Sequence, residues 1–295
     1  MFDGNDNWMI LNQIENSIKK KVESYGTKLI NWDIRINRGI LTGLNEAFII
    51  DENTKNSLIS TDSSSAEIIR PILRGRDIDR YNYNFSNLYM LYVPWHFPLQ
   101  HKDINGVSEE AEMAFKKEYP AVYHHLLKYK SKLSERNKAE TGIRYEWYAL
   151  QRWGANYSDD FFKPKIIYSE IVQKPQFYLD ENNLIPEASS FILSGEHLKY
   201  LCIMLNSKVI AYFFKKFYAG GGLGDSGYRY KKKFLLTLPI IQPTHEIERE
   251  FNCFYERKDF HSIEKLNQLE NYILQLYDFN EEEKHYILKE IKLIN

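Results

Sequence analysis

The chain has 295 residues, 43% hydrophobic and 27% charged, with a formal net charge of -1. This is a globular composition, long enough for one large domain or two smaller ones, and its near-neutral total excludes a protein that is basic throughout. The distribution is uneven: Phe213 to Lys233 holds six bases and one acid, whereas Thr244 to Asn295 holds twelve acids and seven bases. Cys202 and Cys253 lack CxxC spacing, so neither a zinc site nor a disulfide framework is indicated. The start, MFDGNDNWMI, is polar and acidic rather than a signal peptide. The longest apolar run, Leu198 to Phe214, is broken by Lys199, Asn206 and Lys208 and is too polar for a membrane span. A cytoplasmic protein is expected.

In chain order, Trp8, Leu11, Ile14, Ile18 and Val22 recur at three and four residues, predicting an amphipathic helix from Asn7 to Ser24 closed by Gly26. Asn31 to Ile36 and Ala47 to Ile50 read as the strands of a hairpin, whose loop holds Arg38, Thr42, Gly43 and Asn45. Such a loop either reaches into a groove or is a plain tight turn. Asp51 to Asn56 has turn chemistry, and Thr61 to Ser65 opens a helical turn that Pro71 ends. Leu88 to Val93 is a strand; Ser108 to Glu118 and Pro120 to Asn137 are helices, with Pro120 placed to start the second. His124 and His125, beside Lys128, Lys130 and Lys132, read as a solvated helix face rather than a ligand set.

Tyr145 to Trp153 interleaves aromatic residues with Arg144 and Arg152, either to stack on a base or to plug the space under a loop. Lys165 to Ile171 and Gln176 to Leu179 are strands, Gly195 to Tyr218 is one long buried helix, and Leu235 to Ile240 is a last strand. After Pro243 the composition shifts, and His261 to Tyr277 with Asn280 to Ile294 forms a helical pair. The expected class is α+β: short, mostly antiparallel strands in a twisted sheet bundle, flanked by helices. Residues 1–240 are expected to form one domain and 241–295 a helical extension packed on it.

Two stretches carry candidate chemistry. Glu67 to Tyr81, EIIRPILRGRDIDRY, places Arg70, Arg74, Arg76 and Arg80 among three acids, Glu67, Asp77 and Asp79. Guanidinium forks suit phosphates and guanine edges, and Gly75 leaves room for a backbone or phosphate to approach. The alternative is an Arg/Asp knot that pins two segments together. The second stretch, AGGGLGDSG (Ala219 to Gly227), formally contains GxGxxG, but it follows a helix and opens a basic strand, which is the wrong context for a dinucleotide site. With Tyr228, Arg229, Tyr230, Lys231, Lys232 and Lys233 behind it, it is either a backbone-binding loop or a disordered connection.

The arginine-rich stretch, together with RGILTGLNEAFII (Arg38 to Ile50), WYALQRW (Trp147 to Trp153), FKPKIIYSEI (Phe162 to Ile171), LCIMLNSKVIAYFF (Leu201 to Phe214), GYRYKKKFLLTLPI (Gly227 to Ile240) and LENYILQLYDFNEEE (Leu269 to Glu283), resembles the TaqI-like C-terminal specificity domain. That is the target-recognition region of adenine-specific DNA methyltransferases and type IIG restriction-modification enzymes, and the similarity runs over nearly the whole chain. It implies sequence-specific binding of double-stranded DNA. Lys231 to Lys233 and the amides of Gly220 to Gly224 would sit on phosphates. Bases would be read by a subset of Arg74, Arg76, Arg80, Arg229, Thr42 and Asn45. The DNA-binding set expected is Arg38, Thr42, Asn45, Arg74, Gly75, Arg76, Arg80, Arg152, Gly221, Gly222, Tyr228, Arg229, Tyr230, Lys231 and Lys232.

The methyltransferase half of the family is not visible: the sequence has no Asn-Pro step and no glycine-rich turn after an N-terminal strand to hold S-adenosylmethionine. No carboxylate set for metal-dependent cleavage is recognisable either. The chain alone is expected to be non-catalytic and to carry no cofactor or metal of its own, with the methyltransferase or endonuclease half supplied in cis or in trans. A separately encoded specificity subunit, docking through its acidic helical end, is the alternative. An unrelated enzyme with a buried site is a third reading.

Overall fold

The computed structural model describes residues 11–100, 103–219 and 227–294. Asn12 caps α1 (Gln13–Tyr25): its Oδ1 accepts from the Glu15 amide at 2.9 Å, and Glu15 accepts from the Asn12 amide at 3.0 Å. Next come β1 (Thr27–Lys28), β2 (Ile34–Arg38), α2 (Asn45–Phe48), β3 (Ile49–Asp51) and α3 (Glu52–Thr61). The segment β4 (Ile69–Leu73), β5 (Ile78–Asp79), β6 (Asn82–Tyr83) and β7 (Leu88–Leu91) leads to α4 (Glu109–Glu118), α5 (Pro120–Leu127) and α6 (Lys130–Glu135). Then follow β8 (Lys165–Ser169), β9 (Ile171–Val172), β10 (Phe177–Asp180), β11 (Ile185–Pro186) and β12 (Ser190–Gly195). The last third holds α7 (Leu198–Asn206), α8 (Lys208–Phe213) with a π turn at Phe214–Tyr218, β13 (Tyr228–Arg229), α9 (Lys232–Leu235), β14 (Pro239–Ile240), α10 (His245–Glu256), α11 (Ile263–Leu276) and α12 (Glu281–Ile294).

The class is α+β, as the sequence predicts. One antiparallel sheet has the order β10-β8-β12-β2; a second, β11-β4-β7-β3, is antiparallel except where β11 joins β4. The first sheet separates two cores, because side chains alternate across a strand. On one face Ile36, Ile166, Tyr168, Phe177, Leu179 and Leu193 meet α1, α7, α8 and the C-terminal helices; on the other, Ile167, Tyr178 and Ile192 meet the second sheet and α5. A sheet buried on both faces reads as a continuous apolar run, which is why β8 shows no polar alternation. Leu269, Ile273 and Tyr277 of α11 and Ile287 of α12 belong to the first core. Glu270 of α11 accepts from the amides of Lys208 (2.7 Å) and Val209 (3.1 Å) and so caps α8. Among the described residues, no helix is long and apolar enough to cross a membrane.

Several local expectations are overturned. Asn31 to Ile36 and Ala47 to Ile50 do not pair with one another: β2 runs antiparallel to β12, and β3 to β7. Alternation specifies a strand but not its partner. Asp51 opens α3 rather than a turn, its Oδ1 accepting from the Thr54 amide at 2.7 Å; an Asp acceptor serves either use. Pro71 sits within β4 opposite Tyr89, just before β11 joins at Ile72. The long helix expected from Gly195 is a strand end and two helices. Gly195 has φ +130° and lies so close to the Asp33 carbonyl that a Cβ would fall 2.2 Å from its oxygen. Ser207 then breaks α7 from α8 and caps the latter, accepting from the Ile210 amide at 3.0 Å. Leu235 to Ile240 supplies only the two-residue β14, and α10 was not anticipated.

Candidate nucleic-acid interface

The arginine-rich stretch is divided by its own turn. After β4 the chain makes a 3-10 turn, Gly75–Asp77. Arg74 forks onto Asp77, Nε to Oδ2 at 2.7 Å and Nη2 to Oδ1 at 2.9 Å, and also donates to Ser86 Oγ at 2.7 Å. Burial pushes the Asp77 carboxyl up, but the hydrogen bonds from Arg74 and Ser86 outweigh it and hold the group below its ordinary range. Arg70 donates to the carbonyls of Ile69 at 3.0 Å and Glu67 at 2.5 Å. Arg80 turns inward to Glu270, Nη2 to Oε1 at 3.6 Å, and its guanidinium lies 5.3 Å from the Tyr81 ring. Arg76 is exposed and has no hydrogen bond or ion pair with any described residue. The knot therefore accounts for Arg74 and Asp77, while Arg76 is left without a partner among the described residues.

Arg76 overlooks an open cleft of about 610 Å³ whose walls include Asn45, Arg74, Gly75, Ser169, Glu187 and Ser189. The space beside Gly75 belongs to the protein itself. The Gly75 amide donates to Ser189 Oγ at 3.1 Å, and a Cβ there would meet Ser169 Oγ at 2.9 Å and the Ser189 carbonyl at 3.1 Å. Gly75 is thus the close contact that closes the cleft floor, not an opening for a phosphate.

Asn45 reaches the opposite wall. Its Nδ2 donates to Glu187 Oε1 at 3.2 Å, while its Oδ1 accepts from the Thr42 hydroxyl at 2.5 Å. Thr42 itself is buried and positions Asn45 rather than facing solvent. Ser189 Oγ donates to Glu187 Oε2 at 2.9 Å, so one carboxylate ties the two walls together. The loop is held from behind by Arg136, whose buried guanidinium donates to the carbonyls of Thr42 (2.5 Å), Trp147 (2.8 Å), Ala149 (2.8 Å) and Leu133 (3.1 Å). Burial pulls the Arg136 pKa down to about 10, so it stays charged at neutral pH. In the sequence it falls inside the helix expected from Pro120 to Asn137, whereas α6 ends one residue before it.

The other predicted residues scatter. Arg38, the last residue of β2, is exposed, its Nε donating to the Ala188 carbonyl at 2.8 Å between the cleft residues Glu187 and Ser189, and Arg152 is exposed on a segment bridged to Leu41. Tyr228 and Tyr230 are each 1% exposed and belong to the core, with Tyr230 stacked 4.5 Å from Phe214; neither ring is presented to a base. Strand alternation with only one short partner could not reveal that both tyrosines point inward. Arg229 pairs with Ile171, partly buried, and Lys231 and Lys232 are exposed at the start of α9. Gly221 and Gly222 lie outside the described residues. Trp147 to Leu150 is buried, the plug rather than the stacking platform. His124 is exposed as expected, but His125 is buried, its Nε2 3.1 Å from the Ala47 carbonyl. Glu187, Ser189, Ser169 and Arg136 were missed; only the polar Glu-Ala-Ser step between two strands hinted at the first two.

An α+β scaffold whose turns converge on an open, polar cleft has the build of a recognition domain. Residues 70–240 match the TaqI-like C-terminal specificity domain, and the chain belongs to that family. The resemblance read from its motifs is thereby confirmed. It is also similar to the type II methyltransferase M.MjaIV of Methanocaldococcus jannaschii, at 22% identity over 268 residues, 86% of this chain and 82% of that protein. Among solved structures it shares its fold with the type IIL restriction-modification enzyme MmeI, solved in complex with DNA, at 14% identity and a TM-score of 0.59; 90% of this chain is covered. The chain spans 36% of MmeI. The type IIG restriction endonuclease BpuSI aligns over 83% of this chain and 28% of its own, with 12% identity and a TM-score of 0.48.

Proposed function

We propose that the chain binds a specific sequence of double-stranded DNA, as the specificity domain of a site-specific N6-adenine methyltransferase or type IIG restriction-modification enzyme. The observation that carries this reading is Arg76, a guanidinium with no partner among the described residues, on an open cleft whose other wall holds the Asn45 amide and the Glu187 carboxylate. The Arg76 guanidinium has the donor pattern that suits a guanine edge in the major groove, and Asn45 and Glu187, hydrogen-bonded to each other, form the polar wall facing it. Lys231 and Lys232 would hold phosphates and set register. Residues 1–240 would contain the recognition surface and 241–295 would buttress it. S-adenosylmethionine and the reaction would belong to a catalytic half in cis or in trans, which takes the target base once it leaves the stack.

Selection of bound duplexes from a random pool at moderate salt tests the reading. An enriched motif is expected, blurred at one position by Arg76→Ala. Lys232→Ala should instead weaken all sequences alike and flatten the salt dependence by roughly one unit. The same specificity profile and salt slope for both variants would defeat the assignment of roles, and a chain that binds no duplex would defeat the function. Label from S-adenosylmethionine, or nicks with magnesium, would show that the chain is catalytic after all.

A further inference from the structure

A second charged site lies away from the Arg76 cleft. Lys174, Lys208, Lys215, Tyr212 and Tyr228 line a small pocket of about 40 Å³ between the loop after β9 and the face of α8. At roughly 10–15 Å³ per water position, that is room for a phosphate group and too little for a base. Among the described residues, no carboxylate lines it. Lys208 and Lys215 have no ion pair among the described residues; the Lys215 ammonium lies 5.9 Å from the Tyr228 ring. Lys174 is 3.6 Å from Asp79, but both side chains are well exposed, and such a pair yields readily to a stronger anion.

Tyr212 adds an independent observation. It is 2% exposed, and its hydroxyl has no hydrogen-bond partner among the described residues. A buried hydroxyl without an acceptor is uncommon and costly, and points to a ligand that supplies one. Burial, with Tyr286, Glu290 and Glu15 nearby, raises its pKa, so the phenol is a neutral donor. Ser169 lines the cleft and Lys174 lines the pocket, five residues on, so their backbones are at most about 18 Å apart. One helical turn of duplex is about 34 Å, longer than that separation.

We propose that Lys174, Lys208, Lys215 and Tyr212 form an anchoring site for a backbone phosphodiester of the same duplex whose bases face Arg76. This rests on the DNA reading above. The test is anisotropy of a labelled selected duplex against the full chain over a salt series, with Lys208→Gln/Lys215→Gln and Tyr212→Phe. The double variant should bind all duplexes more weakly, with a salt slope flatter by about one unit, an unchanged selected motif and an unchanged melting temperature. Tyr212→Phe should lose roughly two- to tenfold in affinity without loss of stability, because the hydroxyl it removes bonds to no described protein group.

Wild-type binding with neither slope nor affinity changed in the variants overturns the site while leaving the cleft reading intact. Failure of the wild-type chain to bind any duplex overturns both. Inorganic phosphate is the second probe. If it raises the melting temperature of the wild type but not of the double variant, while the duplex salt slope is the same in both, the pocket takes free phosphate and the DNA anchor is wrong.

Discussion

Arg74 and Asp77 lock each other across a single 3-10 turn, Nε to Oδ2 at 2.7 Å, and by doing so leave Arg76 between them without a partner among the described residues. The two arginines therefore separate on substitution. Arg76→Ala should leave folding stability within about 0.5 kcal/mol and cost about 1–3 kcal/mol of discrimination at one base position. Arg74→Ala should leave the buried Asp77 with only Ser86 and the backbone amide of residue 74, costing about 1–3 kcal/mol of stability. Urea melts and binding selections on both variants check the division.

Gly75→Ala should destabilise by about 1–3 kcal/mol, since its Cβ would meet Ser169 Oγ at 2.9 Å and the Ser189 carbonyl at 3.1 Å. Adding Ser169→Ala removes the nearer atom and should recover part of the loss. A double variant as unstable as the sum of the two singles would place the clash on the Ser189 backbone instead.

Arg136→Met should destabilise by more than about 3 kcal/mol, because it leaves several buried carbonyls, among them those of Trp147 and Ala149, without their donor. Arg136→Lys should fall between, since a compact ammonium cannot span the carbonyls that the guanidinium fork reaches. Denaturant titration measures both.

Acid should loosen the docking of α12 on α1. Glu283 accepts from Lys21 Nζ at 2.7 Å and Ser17 Oγ at 2.6 Å; burial raises its pKa, but these bonds and the Asn280 amide outweigh that and lower it overall. Glu15, held by Lys216 and Tyr286, is lowered in the same way against its own burial. A folded pKa below the unfolded one, near 4.3 for Glu, means that the stabilisation is complete above that value and is lost as pH falls through the folded pKa. Thermal melts from pH 7 to 3 should show a fall in stability below about pH 4 that is smaller in Glu15→Gln/Glu283→Gln.

The sequence by itself determined what is local. The three-and-four spacing marked α1, Lys165 to Ile171 was legible as a strand and His261 to Tyr277 as a helix, Pro120 marked the start of α5, and the ordered motifs carried the family. Local period and capping chemistry act within a few residues, so they are legible without a fold. Only the tertiary structure decided which strand each strand joins, and therefore which loops converge. It brought Asn45 to Glu187 across 142 positions, set Ser189 against Gly75, turned Arg80 inward to Glu270, and buried Tyr228 and Tyr230. Of four similar arginines one was left without a partner among the described residues, because a guanidinium's role depends on which carboxylate or carbonyl the rest of the chain places beside it, and no spacing in the sequence carries that distance.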